Sequence, residues 1–213
     1  APSAEEPEPA FEALATYVAA AFEEREVTID AYSLTAETLS GALTPPVQRI
    51  MLGESNPSSI RIRLLLPAPD TALAVPRTVA DPQDGRPLRR LRQLARGHTV
   101  ALRSTVTRLS DVRPDIECAI EFKTVPITPM QKLYLLNKRV ALSGYYQVVE
   151  RPITYGDGRQ DVIYDTLGVS TLLFPHRSDP ANPHAHPSRF VAESQAWFDA
   201  LWDTIAEPVT TFE

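Results

Sequence analysis

The sequence predicts an α/β domain in which a mixed β-sheet is flanked by helices. Three observations predict it. The chain has 213 residues and is 43% apolar, enough to bury one large core. Its first half alternates helix-periodic runs with short runs rich in β-branched residues, the order found when helices cover a sheet. Its second half holds several successive strand-like runs and closes on a strongly periodic helix. No internal repeat of solenoid length is present.

Residues 1–9, APSAEEPEP, read as a Pro/Glu-rich linker or tail, and residues 10–213 as one domain. In AFEALATYVAAAFEER, Phe11, Leu14, Tyr17, Val18, Ala21 and Phe22 share a helical face. VTIDAYSL follows as a strand, with Val27, Ile29 and Ala31 alternating. TAETLSGAL begins a second helix, which Pro45 and Pro46 are expected to interrupt before VQRIML. SIRIRLLLP is a buried strand entered through the turn-rich ESNPS. Residues 68–86, rich in Pro and Asp, form a loop. PLRRLRQLARG is a short helix with Pro87 near its start and Gly97 as its stop. Strands are expected at about 98–108, 116–124, 131–136 and 139–150. Asn137-Lys138 suits a hairpin tip. A further hairpin is expected from DVIYDT and VSTLLFPH, joined near Leu167-Gly168. The last helix is SRFVAESQAWFDALWDTIA, with Ser188 as N-cap. In it Phe190, Val191, Ser194, Trp197, Phe198, Leu201, Trp202 and Ile205 recur at helical spacing.

Charge and cysteine usage narrow the partners. The formal net charge is −6, so free nucleic acid is not the expected partner of this chain alone, because such binding needs phosphate neutralisation. One cysteine, Cys118, cannot form an internal disulfide. A reducing, cytoplasmic setting is the simpler expectation. No apolar run reaches membrane-spanning length and no signal peptide is visible, so no membrane partner is expected. Gly-x-Ser-x-Gly, P-loop and Gly-x-Gly-x-x-Gly patterns are all missing.

The most informative stretch is TPMQKLYLLNKRVALSGYY. Within it, Met130-x-Lys132-x4-Asn137 has the spacing of the His-x-Lys-x4-Asp motif of phospholipase D-like phosphoryl-transfer enzymes (the HKD superfamily), and KRVALSGYY resembles the segment that follows it. The chain resembles a single phospholipase D-like half-domain. IRLLLPAPDTALAVPR, VPITPMQKLYLLNKRVALSGYYQV and SQAWFDALW look like the C-terminal sensor portion of actinobacterial winged-helix regulators, commonly labelled GntR-like. The similarity covers the chain from about Ala10 onward. It implies an effector-sensing and dimerisation domain of a transcriptional regulator. A small-molecule effector would be bound, and a homodimer would supply the second half-domain. DNA would be contacted only through a separate module upstream, since nothing here resembles a helix-turn-helix with a wing.

The residues themselves point to a pseudoenzyme. A thioether at Met130 cannot attack phosphorus, and an amide at Asn137 cannot orient an imidazole that is absent. No catalytic residue, cofactor or metal is therefore expected. The alternatives are a residual phosphodiesterase-like enzyme and a ligand-free dimerisation module with a filled cleft.

Eight residues are candidates for a ligand site: Lys132, Asn137, Ser143, Tyr145, Tyr134, Arg61, Arg63 and Met130. Lys132, if turned into the cleft, would receive a phosphate or carboxylate; otherwise it snorkels from a strand edge. Arg61 and Arg63 alternate along an otherwise apolar strand and need partners. Tyr134 and Tyr145, with Tyr146, would line a pocket or fill the core. Ser143 precedes Gly144 where the family's enzymes have the reverse order. His176, His184 and His186 either bind zinc with a third ligand or belong to a solvated loop. Arg86, Arg89, Arg90, Arg92 and Arg96 either hold an anion or form a solvated helix face.

Overall fold

A computed structural model of the protein describes residues 6–209. Its elements are β1 (Glu8–Pro9), α1 (Ala10–Ala21), β2 (Glu26–Tyr32), α2 (Glu37–Met51), β3 (Ser59–Pro67), β4 (Arg77–Thr78) and α3 (Arg86–Val112). Then come β5 (Glu117–Val125), β6 (Gln131–Leu136), β7 (Val140–Tyr145), β8 (Val148–Thr154), β9 (Gln160–Thr166), β10 (Leu172–Arg177), α4 (His186–Asp203) and β11 (Glu207–Pro208). The main sheet has eight strands in the order β1-β10-β7-β6-β2-β3-β5-β11, and β4-β9-β8 form a second, small sheet. β2, β3 and β5 run parallel, while β6 lies antiparallel to β2. The mixed, helix-flanked α/β class is the one the sequence predicts. Among the described residues no helix is long and apolar enough to cross a membrane.

Strand alternation sorts side chains onto the two faces. Ile29 and Ala31, Ile62 and Leu64, and Tyr134 and Leu136 turn to one face, against α1, α2 and α3. Tyr32, Leu65, Leu133 and Leu135 turn to the other, beneath Val191, Phe198 and Trp202 of α4. Polar residues on this second face are paired. Arg63 donates from Nε to Asp30 Oδ1 and from Nη2 to Asp30 Oδ2 and Asp199 Oδ1, each at 2.7 Å. Its guanidinium also lies 5.1 Å from the Phe198 ring centre and 5.3 Å from that of Trp202. Arg63 thus ties α4 to the sheet.

The structure departs from the sequence expectations at several places. Residues 98–108 are helical, not a strand, and α3 runs through Gly97 for 27 residues. Thr99, Leu102, Val106 and Leu109 are buried at helical spacing, and that burial overrides the β-branched composition. Pro45 and Pro46 sit inside a continuous α2, which is held by burial of Leu39, Leu43, Val47 and Ile50 on either side of them. β9 and β10 do not form a hairpin, because β9 pairs with β8 and β4 while β10 pairs with β7 and β1. Ser188 does not cap α4. The helix starts at His186, and the Ser188 hydroxyl instead accepts from Asp179 N–H and donates to Asn182 O. The loop from Ala68 to Arg86 holds the short strand β4.

The β6–β7 hairpin turns at Asn137 and Lys138, with φ of 51° and 56°, the doubly left-handed geometry that two-residue hairpins favour. In β7, Gly144 lies against the β9–β10 connection. A Cβ there would collide with the Leu172 carbonyl oxygen and crowd Thr171 Cγ2 at 2.9 Å. Gly144→Ala is expected to destabilise the protein by about 1–3 kcal/mol, read as a lower denaturation midpoint in urea at unchanged slope.

Candidate functional site

A cavity of about 600 Å³ opens where the main sheet meets the small one. Its walls are Lys132 of β6, the start of α2, the first turns of α3, β8 and β9, and the turn at Leu167–Ser170. It lies past the carboxyl end of β2, where a parallel neighbour on one side gives way to an antiparallel one on the other. In open α/β sheets ligands favour such crevices.

Lys132 is the central polar group. It turns to the same face as Tyr134 and is 2% exposed. Nζ donates to Thr38 Oγ1 at 2.8 Å and to the Gly168 carbonyl, and lies 5.5 Å from the Tyr146 ring centre. Among the described residues no carboxylate forms an ion pair with it. Burial pushes its ammonium down from the usual lysine range to about 8, and the Glu37 carboxylate pulls weakly upward.

The start of α2 adds to this electropositive spot. Ala36 takes the N-cap position with a φ of 59° and has no side chain to cap the helix, while Thr35 Oγ1 accepts from Glu37 N–H at 3.4 Å. Thr35, Glu37 and Thr38 line the cavity, so the positive end of a 15-residue helix stands beside Lys132. Tyr146 buttresses the approach, its hydroxyl oxygen accepting from Leu34 N–H at 2.9 Å. On the opposite wall Arg151 donates from Nε to Asp165 Oδ2 at 3.0 Å, and Asp165 Oδ1 accepts from Thr166 N–H at 2.8 Å. Among the described residues the buried Thr166 hydroxyl has no hydrogen-bond partner. Leu34, Leu91, Leu94, Ile153 and Ile163 make the apolar surface between these polar ends.

Of the eight sequence candidates, only Lys132 lines this cavity. Tyr134 is buried on the same face, where burial pushes its phenol up. Met130 precedes β6, half exposed, and its carbonyl accepts from Tyr146 N–H at 3.0 Å. Asn137 stands at the far end of β6. There Oδ1 accepts from Thr28 N–H at 2.8 Å and Nδ2 donates to Ala21 O at 3.0 Å, which fixes the hairpin turn. Arg61, Arg63 and Ser143 sit on the α4 side of the sheet, and Tyr145 is 66% exposed. Thr38, Gly168, Arg151, Asp165 and Thr166 were not singled out from the sequence. One available signal was a strand followed by a polar turn and a helix start, VTIDAYSLTAET, which puts a helix N-terminus at the end of a parallel strand.

The remaining candidates lie elsewhere. His176 stacks on Phe190 at 3.9 Å between ring centres and lies 5.9 Å from His186. Among the described residues no cluster of three or more His, Cys, Asp or Glu could hold a metal. Arg86 pairs with Asp84 and Asp161, Arg92 donates to Thr71 O, Arg89 and Arg96 are exposed, and Arg90 reaches the cavity. Cys118 is half-buried, and burial pushes its thiol up.

No family model and no curated protein matches the chain. Among solved structures it is similar to TrmBL2, an archaeal chromatin protein described as showing a novel mode of DNA binding, with a TM-score of 0.39 and 10% identity. The alignment covers 96% of this chain and 53% of that one, so the chain spans about half of TrmBL2's length. A likeness this distant assigns neither family nor activity.

Proposed function

We propose that this chain is the effector-binding domain of a transcriptional regulator, and that its effector is a small molecule whose anionic group sits on Lys132. The observation that carries the reading is the buried ammonium of Lys132, which meets the cavity beside the N-terminus of α2 and, among the described residues, has no carboxylate partner. A charge removed from water without a counter-charge is costly, and a bound anion offsets that cost. The regulator context rests on the sequence resemblance. The cavity's size favours an occupied site over a filled-cleft dimerisation module. The test is a thermal-shift screen of small anions against the wild-type chain and Lys132→Met. Stabilisation by at least one anion, lost in the variant, is expected. Equal shifts in both proteins would contradict the reading.

Two further expectations accompany it. The chain is catalytically inactive toward phosphodiesters, because Met130 replaces the nucleophile and Asn137 is spent on the hairpin turn. Bis(4-nitrophenyl) phosphate is expected to hydrolyse at the buffer rate, and turnover abolished by Lys132→Met would contradict this. DNA is contacted through a separate module. This acidic chain alone is expected to give no specific gel shift at physiological salt, whereas tight operator-specific binding would refute the assignment. A homodimer is the proposed assembly, to be read by light scattering.

A further inference from the structure

Given an anion on Lys132, as proposed above, two features of the cavity narrow its class. The first is charge. Arg90, Lys132 and Arg151 line the cavity, but so do Glu12, Glu37 and Asp165. Arg151 and Asp165 neutralise each other by direct hydrogen bonding. Glu37 belongs to the first turn of α2, adjacent to Thr38, the hydroxyl that Lys132 holds. A monoanion on Lys132 is matched by one ammonium. A dianion brings a second negative charge that the Glu37 carboxylate, one residue from the Thr38 hydroxyl, repels, while Arg90 enters the cavity from α3, on another wall.

The second feature is the wall between the polar ends. Leu34, Leu91, Leu94 and Ile153 offer apolar surface that a bare inorganic ion would leave uncovered.

We propose that the site takes an organic carboxylic acid: the carboxylate on Lys132 and Thr38 at the start of α2, and an apolar body along Leu91 and Ile153. Phosphomonoesters and inorganic phosphate are discriminated against by Glu37. Specificity therefore runs opposite to what a relic of a phosphodiesterase cleft would favour.

Calorimetric titration at neutral pH tests this with three probes: acetate, naphthylacetate and naphthyl phosphate. Naphthylacetate is expected to bind about tenfold or more tighter than either of the others. Lys132→Met removes binding of all three. Glu37→Gln, a change at an exposed position, raises naphthyl phosphate affinity about tenfold and leaves naphthylacetate nearly unchanged. Leu94→Glu, on the half-exposed part of the apolar wall, weakens naphthylacetate and spares acetate. Lys132-dependent binding that favours the phosphate, that is equal for acetate and naphthylacetate, or whose preference Glu37→Gln does not change, overturns the carboxylic-acid class and leaves the anion site standing. No Lys132-dependent binding of any probe at millimolar concentration overturns both.

Discussion

Replacing Lys132 by Met is expected to raise the melting temperature of the free protein while abolishing its response to anions. The physical cause is the desolvated ammonium. Its shift from 10.5 to about 8 corresponds to about 3 kcal/mol of lost stability at neutral pH. Met has similar length and packs without charge. The substitution also leaves the buried Thr38 Oγ1 without its donor, which returns about 1–3 kcal/mol of cost, while the half-buried Gly168 carbonyl turns to water. A net gain of up to about 2 kcal/mol remains, or up to roughly 8 °C in a domain of this size. The pH dependence has a definite sign. Below about 8 both folded and unfolded chains carry the Lys132 proton, and the full burial cost is present. Between about 8 and 10.5 only the unfolded chain keeps it, so this group makes stability rise with pH. That rise vanishes in Lys132→Met. A variant that melts lower than wild type at every pH would show that Lys132 stabilises the fold and is not held in reserve for a ligand.

The second large effect is expected from Asp30→Ala. Asp30 is 5% exposed and receives two hydrogen bonds from Arg63 and one from Gln195 at 2.8 Å. Removing it leaves the Arg63 guanidinium between Phe198 and Trp202 with only Asp199, which is 40% exposed, as a counter-charge. Breaking a buried pair from one side costs about 3–5 kcal/mol. Arg63 keeps 18% exposure, so the lower end applies, near 3 kcal/mol. The double change Asp30→Val with Arg63→Met is expected to recover most of the loss, because it removes both charges. Urea denaturation of wild type, Asp30→Ala, Asp30→Val, Arg63→Met and the double variant measures the loss and, from the last three with wild type, the coupling. A loss under about 1 kcal/mol for Asp30→Ala would show that solvent reaches the pair. Anion affinity is expected to survive all these changes, since the network lies across the sheet from the cavity.

The sheet was legible because its strands alternate. VTIDAYSL and SIRIRLLLP each place apolar side chains on one face and a charged residue, Asp30 or Arg63, on the other. That Asp30 and Arg63 meet depends on register, which neither strand encodes alone. α3 was misread past Gly97 because Thr99, Val100, Thr105, Val106 and Thr107 favour a strand locally. A mid-helix glycine costs only about 1 kcal/mol, and burying Leu102, Val106 and Leu109 returns about 1.5–3 kcal/mol each. Lys132 was legible as a charged residue in an otherwise apolar strand, QKLYLL. Its partners were not, because Thr38, Arg151 and Gly168 come from distant segments that only the chain's crossovers bring together. Asn137 was read both as a site residue and as a turn residue, and its left-handed φ and two backbone hydrogen bonds place it in the turn.

The chain has three lysines, Lys123, Lys132 and Lys138, so lysine-selective carbon-13 NMR resolves each side chain through a pH titration. Without ligand, the Lys132 ε-carbon is expected to titrate near 8, below the usual lysine range. Saturating naphthylacetate is expected to move that midpoint upward, because the carboxylate favours the charged amine. A Lys132 that titrates in the usual lysine range and shifts with none of the anions would contradict an anion site built on its buried charge.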